Sequence, residues 1–100
     1  MVKFTVPFEF EADLWKAGGN SGWHFVSLPI ALSSEIRNLF QKEEEGWGRL
    51  SVQAAIDGLA WDTAIWFDSK NNTYLLPLKT EVRKKKNLHP GAIVAVRLSI

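Results

Sequence analysis

Apolar and polar residues alternate from the start of the chain, with Phe4, Val6, Phe8, Phe10, Ala12 and Leu14 in one set and Lys3, Thr5, Pro7, Glu9, Glu11 and Asp13 in the other. A period of two places successive side chains on opposite faces of a strand, so this segment reads as a half-buried strand. Pro7 falls in the outward set and has no N–H for a ladder, which predicts an edge position or a bulge there. The loop from Lys16 to Gly22 breaks the chain before a second strand, Trp23 to Leu28, which ends at Pro29.

From Ile30 to about Gln41 the period changes. Ile36, Leu39 and Phe40 take the three-and-four spacing of a helical stripe, and Ser33 or Ser34 is placed to cap the N-terminus. A long hairpin follows, with Leu50, Val52, Ala54 and Ile56 on one arm and Leu59, Trp61, Thr63, Ile65 and Phe67 on the other. Asp57-Gly58 joins the arms, and a type I′ turn needs two residues that tolerate positive φ. Residues 68–72 form the next turn, and the sequon Asn71-Asn72-Thr73 reads as part of it. A fifth strand runs from about Thr73 to Leu76, a short basic helix from about Lys79 to Lys86, and a sixth strand from Ala92 to Ile100. His89-Pro90-Gly91-Ala92 suits a type II turn, with proline fixing φ at its second position and glycine taking positive φ at its third.

This order predicts a mostly β protein: a small six-stranded closed or nearly closed β-barrel with two short helices, in one domain spanning residues 1–100. Closure hides the sheet edges that so short a chain could not otherwise cover. The expected core comprises Phe8, Phe10, Phe25, Val52, Ile56, Trp61, Ile65, Leu75, Val82 and Val94, with Trp23 on the same face as Phe25.

Composition narrows the function classes. The chain has 46% hydrophobic residues and no cysteine, which removes disulfides, thiolate metal sites and cysteine nucleophiles. It lacks an apolar run long enough for a membrane span, and its alternating N-terminal stretch is unlike a signal peptide, so a cytoplasmic protein is expected. The two histidines, His24 and His89, lie far apart with no zinc spacing or catalytic constellation around them. Residues 18–22, rich in glycine, match neither phosphate-loop patterns nor the nucleophile elbow. The expectation is a non-enzyme with no cofactor and no metal.

The net charge of +1 conceals a basic segment: residues 79–86 carry +4 and the rest of the chain −3. Arg83, Lys84, Lys85 and Lys86 could grip phosphates. The same lysines at a helix C-terminus also favour the macrodipole and keep the surface soluble. Among the five tryptophans, Trp66 shares its strand face with Asp62, Ala64 and Asp68, whereas Trp15 and Trp47 border loops. Trp47 and Trp66, with Arg37 or Arg83 as anion handle, form the candidate ligand set, since an exposed indole can hold a flat ligand and a guanidinium offers a planar fork.

Two segments echo one another: Trp23-His-Phe-Val-Ser-Leu-Pro29 before a helix carrying Ile36-Arg37, and Tyr74-Leu-Leu-Pro77 before a helix carrying Val82-Arg83. The unit of strand, Leu-Pro, short basic helix and glycine turn resembles the half-unit of AbrB-like and MazE-like swapped-hairpin proteins, here duplicated in one chain as an internal pseudo-repeat. Over nearly its whole length the chain resembles a bacterial family of unknown function, the DUF family numbered nineteen hundred and five, whose domains often accompany a bacteriocin-protection (YdeI/OmpD-associated) domain. The resemblance rests on Phe10, Ala12 and Leu14, on Gly22 to Pro29, on Gly48, on Ile56 with Gly58, and on Tyr74 to Pro77 followed by Val82-Arg83-Lys84 and Gly91. Where many members have Gly-Asp, this chain has Gly91-Ala92. The family resemblance implies a small β-barrel and brings no established catalytic or binding residues.

Two functions follow as expectations. The first is a non-catalytic accessory module that binds a protein or a small anionic ligand at a rim made of the loop from Gly18 to Gly22, the Leu-Pro corners and Arg83. The second is a DNA-binding or antitoxin-like regulator that uses the basic helix at residues 79–86. A chain carrying both half-units completes its barrel alone, so a monomer is favoured, without the two-fold presentation that dimeric regulators use on palindromic sites.

Overall fold

A computed structural model of the chain describes residues 6–100. Six strands close into an antiparallel barrel in the order β1-β2-β5-β4-β3-β6. They are β1 (Pro7–Lys16), β2 (His24–Ser27), β3 (Arg49–Ile56), β4 (Leu59–Asp68), β5 (Thr73–Pro77) and β6 (Ile93–Ser99). Helix α1 (Ile30–Phe40) follows β2, and α2 (Thr80–Lys85) follows β5. The expected strand residues Lys3, Phe4 and Thr5 lie outside the described residues.

The chain is therefore β-β-α-β twice, and the registers obey the duplication. Val26 pairs Leu76 at the centre of β2 and β5, and the flanking pairs Phe25–Pro77 and Ser27–Leu75 exchange under a two-fold axis at that point. Under that axis the pairing of Leu14 with Val26 repeats as that of Ile65 with Leu76, one step from the observed Trp66–Leu75 pair. The β1–β6 ladder maps likewise onto the β3–β4 ladder. His24 thus corresponds to Tyr74, Leu28 to Leu78, Trp15 to Trp66, and Ser33 to Arg83.

One core cluster fills the barrel. Val26, Leu28, Val52, Ala54, Ile65, Leu76, Leu78 and Leu98 are all nearly inaccessible, with Ile36 and Val82 plugging from the two helices. Trp61 is half-buried and packs against this cluster. Three aromatic and aliphatic positions differ from expectation: Phe25 and Leu75 face outward, and Trp23 is 58% exposed. In β2 both faces are apolar, so alternation alone leaves the register open. Pairing settles it: Val26 lies opposite the buried Leu14 on one side and Leu76 on the other, so His24, Val26 and Leu28 share the inner face and the rings of Trp23 and Phe25 lie outside.

Other details depart from expectation for local reasons. Pro7 begins β1 and pairs Ser99 in a closed ladder, so it is neither an edge nor a bulge. Ser33 does not cap α1, whose N-cap is Pro29; it is buried inside the helix, and its hydroxyl accepts the backbone N–H of Tyr74 at 3.0 Å. Leu39 is exposed, whereas Phe40 packs edge-on against Phe8 at 6.4 Å. The turns follow their residues: Asp57 and Gly58 take φ of 47° and 82°, and Ala92 N–H donates to His89 O at 3.0 Å with Gly91 at φ 94°.

Candidate ligand-binding site

Beyond Pro77 the β5 strand turns into α2, while β4 continues past it. The pairing of β4 with β5 covers Trp66, Phe67 and Asp68 but not Trp61, Asp62 or Thr63. The splayed strands leave a cleft of about 420 Å³. One wall is Trp61, Asp62 and Thr63; the opposite wall is Lys79, Thr80 and Arg83; and the loop into β2 contributes Ser21, Gly22, Trp23 and His24. The expected rim of the glycine-rich loop, a Leu-Pro corner and Arg83 meets here.

Arg83 is the best-ordered charge of the cleft. Its Nε donates to Leu78 O at 3.1 Å and its Nη2 to Thr80 Oγ1 at 2.9 Å, while Nη1 lies 3.4 Å from His24 Nε2. A guanidinium has five N–H bonds, so these contacts leave one on each terminal nitrogen. Among the described residues Arg83 makes no ion pair.

His24 is held from both sides. Its Nδ1 lies 2.8 Å from Gly22 O, which can only accept, so Nδ1 carries the proton. Nε2 then presents its lone pair to Arg83, which can only donate. Alternation with Val26 and Leu28 is the sequence signal for an inward His24.

The other candidate residues scatter. Arg37 belongs to a network on the far half: its guanidinium carbon sits 3.7 Å above the Phe67 ring, and its Nη2 lies 3.8 Å from Glu44. Glu44 in turn accepts the hydroxyl hydrogen bond of Tyr74. Trp47 is 93% exposed in a tight turn and lines neither this cleft nor the apolar groove described next. The basic segment also divides. Arg83 turns into the cleft, Lys86 Nζ donates to Asp57 O at 2.9 Å, and Lys84 and Lys85 stay exposed.

Trp66 lines a shallow apolar groove on the barrel exterior with Ala17, Trp23, Phe25 and Leu75. Trp23 stacks on Phe25 at 5.9 Å with planes 8° apart, and Trp15 lies 5.1 Å from the same ring. The indole N–H of Trp15 donates to Ser27 Oγ at 2.9 Å, so the ring lies along the sheet with its polar atom satisfied. Trp23 walls both the groove and the Arg83 cleft. Sequence reasoning missed this exterior cluster because it assigned Trp23 and Phe25 to the core. Among the described residues no group of three or more His, Asp or Glu side chains is placed to hold a metal, and no helix is long and apolar enough to cross a membrane.

These features define a small pseudo-symmetric barrel domain with a polar cleft between β4 and α2. The chain belongs to the DUF1905 family, a domain of unknown function, which matches residues 10–98. No curated protein matches the chain.

Proposed function

We propose that this chain is a cytoplasmic, non-catalytic binding module whose cleft between β4 and α2 takes a small anionic ligand, with Arg83 as its handle. The observation that carries this reading is Arg83 itself, half-buried, fixed by protein acceptors, unpaired with any carboxylate among the described residues, and left with two free N–H groups at the cleft. A planar fork held this way is prepared for a carboxylate or phosphate, because little side-chain entropy remains to be lost on binding. Lys79 adds a second positive charge on the same wall. His24 supports a positioning role over a catalytic one, since both ring nitrogens are occupied.

The test is calorimetric titration of the protein with inorganic phosphate, pyrophosphate and citrate, beside Arg83→Ala. Binding in the wild type that falls at least about tenfold in Arg83→Ala is expected. No binding by any of these anions, or binding unchanged in the variant, overturns the reading. Of the candidate nucleic-acid set Arg83 to Lys86, Lys84 and Lys85 remain as outward charges, which is little for a phosphate backbone.

A further inference from the structure

We infer that the ligand of the Arg83 cleft carries a planar aromatic ring that lies in the exterior groove of Trp23, Phe25 and Trp66, so that the chain binds a nucleotide-like aromatic anion. The inference rests on the anion reading above and extends it to the ligand's other end. Its basis is the continuity of two surfaces of opposite character through one side chain. Trp23 is a wall of the cleft that holds Arg83 and Lys79, and also a wall of the groove that holds Trp66 and Leu75.

The groove selects for flat apolar chemistry. Its lining residues Ala17, Trp23, Phe25, Trp66 and Leu75 offer no side-chain polar group except the two indole N–H groups. Trp23 and Phe25 are already a parallel stack, and Trp23 at 58% and Trp66 at 38% exposure leave ring surface for another planar group. Stacking on such rings favours aromatic bases regardless of their hydrogen-bond pattern. The cleft selects for the remaining parts. Arg83 and Lys79 face an anion, and across from them Asp62 and Thr63 offer a carboxylate and a hydroxyl that suit sugar hydroxyl groups. A bare inorganic anion uses only the basic wall and leaves Asp62 unpaired, whereas a ring joined to an anion through a hydroxyl-bearing spacer uses both walls and the groove.

The experiment compares adenosine 5′-monophosphate, adenosine, inorganic phosphate and decanoate by calorimetry on the wild type, Arg83→Ala, Trp23→Leu and Trp66→Leu proteins. Indole fluorescence is followed in parallel, and circular dichroism confirms that each variant is folded. The monophosphate is expected to bind at least about tenfold more tightly than phosphate, to quench indole emission, and to lose that advantage in Trp66→Leu, which alters the groove but not the cleft, while phosphate binding is retained; Trp23→Leu, which alters both surfaces, should weaken the monophosphate as well. Arg83→Ala should weaken both. If phosphate and the monophosphate bind alike, or Trp66→Leu leaves their ratio unchanged, the aromatic inference falls and the anion reading stands. Decanoate binding as tight as the monophosphate also overturns it, because the groove would then accept any apolar tail. Absence of every anion-dependent signal overturns the underlying reading as well.

Discussion

Arg83 of α2 meets His24 of β2, Nη1 to Nε2 at 3.4 Å, at the same place in the pseudo-repeat where Ser33 of α1 meets the backbone N–H of Tyr74 on β5 at 3.0 Å. One half ties helix to strand with a buried neutral hydroxyl, and the other with a guanidinium that faces a cleft. The halves also differ in cover. Helix α1 has eleven residues and is followed by a linker that delivers Glu44 to the Tyr74 hydroxyl, whereas α2 has six. The shorter second half leaves its end of the barrel open, and the candidate site lies there.

His24 should matter through Arg83. His24→Ala removes the acceptor for Nη1 and a buried ring, so a loss of about 1–3 kcal/mol of stability is expected. Anion affinity should fall while remaining above that of Arg83→Ala. Urea denaturation and calorimetry on the two variants check the order.

The register of β5 can be tested by adjacent leucines. Leu76 is fully buried opposite Val26, and Leu76→Ala should cost about 2–5 kcal/mol. Leu75 faces the exterior groove, so Leu75→Ala should cost under about 1 kcal/mol. Denaturation midpoints that move equally, or more for Leu75→Ala, contradict the inward set.

Tyr74 predicts an alkaline limit. Its phenol is pushed above the ordinary tyrosine range by burial, then by its hydrogen bond to Glu44 and the nearby Glu44 charge, with Arg37 pulling weakly the other way. Above about pH 10 the unfolded chain releases this proton and the folded chain keeps it, so folding stability declines as pH rises through that region. Below it the contribution is fully present. Tyr74→Phe should lower stability near neutral pH by about 1–3 kcal/mol, because Glu44 is left buried without its donor. The variant should also lose part of the alkaline slope, measured by denaturation between neutral pH and pH of about 11.

Gly48 is constrained twice, by φ of +71° and by a Cβ position only 3.0 Å from Phe67 Cβ. Gly48→Ala should therefore cost about 1–3 kcal/mol. Displacement of Phe67 would also disturb the ring beneath Arg37, so the variant should lower the thermal midpoint and change near-ultraviolet dichroism. An unchanged midpoint would show that the turn relaxes freely.

Lys84 and Lys85 decide the nucleic-acid reading. Duplex binding through them should weaken with salt by a log-log slope of about 0.9 for each phosphate contact, and the Lys84→Glu/Lys85→Glu variant should lose that slope. The expected result is no measurable binding near physiological salt by fluorescence anisotropy. Sub-micromolar, salt-steep binding abolished in the variant would place the regulator function first.

Alternation in β1, β3 and β4, the Asp57-Gly58 turn, the Pro90-Gly91 turn and the repeated Leu-Pro units were enough to determine a six-stranded duplicated barrel, because each is a local pattern with a local physical cause. Tertiary structure alone decided the faces of β2 and β5. There Trp23 and Phe25 compete with Val26 and Leu28, and Leu75 with Tyr74 and Leu76, and the register against the partner strands selects between apolar sets one residue apart. It also decided the fate of the arginines. The chain is acidic after Arg37, at Glu43 to Glu45, and basic after Arg83, at Lys84 to Lys86, but that contrast does not place Arg37 over Phe67 beside Glu44 or turn Arg83 toward His24 with free donors at a cleft. The linker after α1 folds back so that Glu44, close to Arg37 in sequence, also reaches the Tyr74 hydroxyl, and that second contact joins segments distant in sequence.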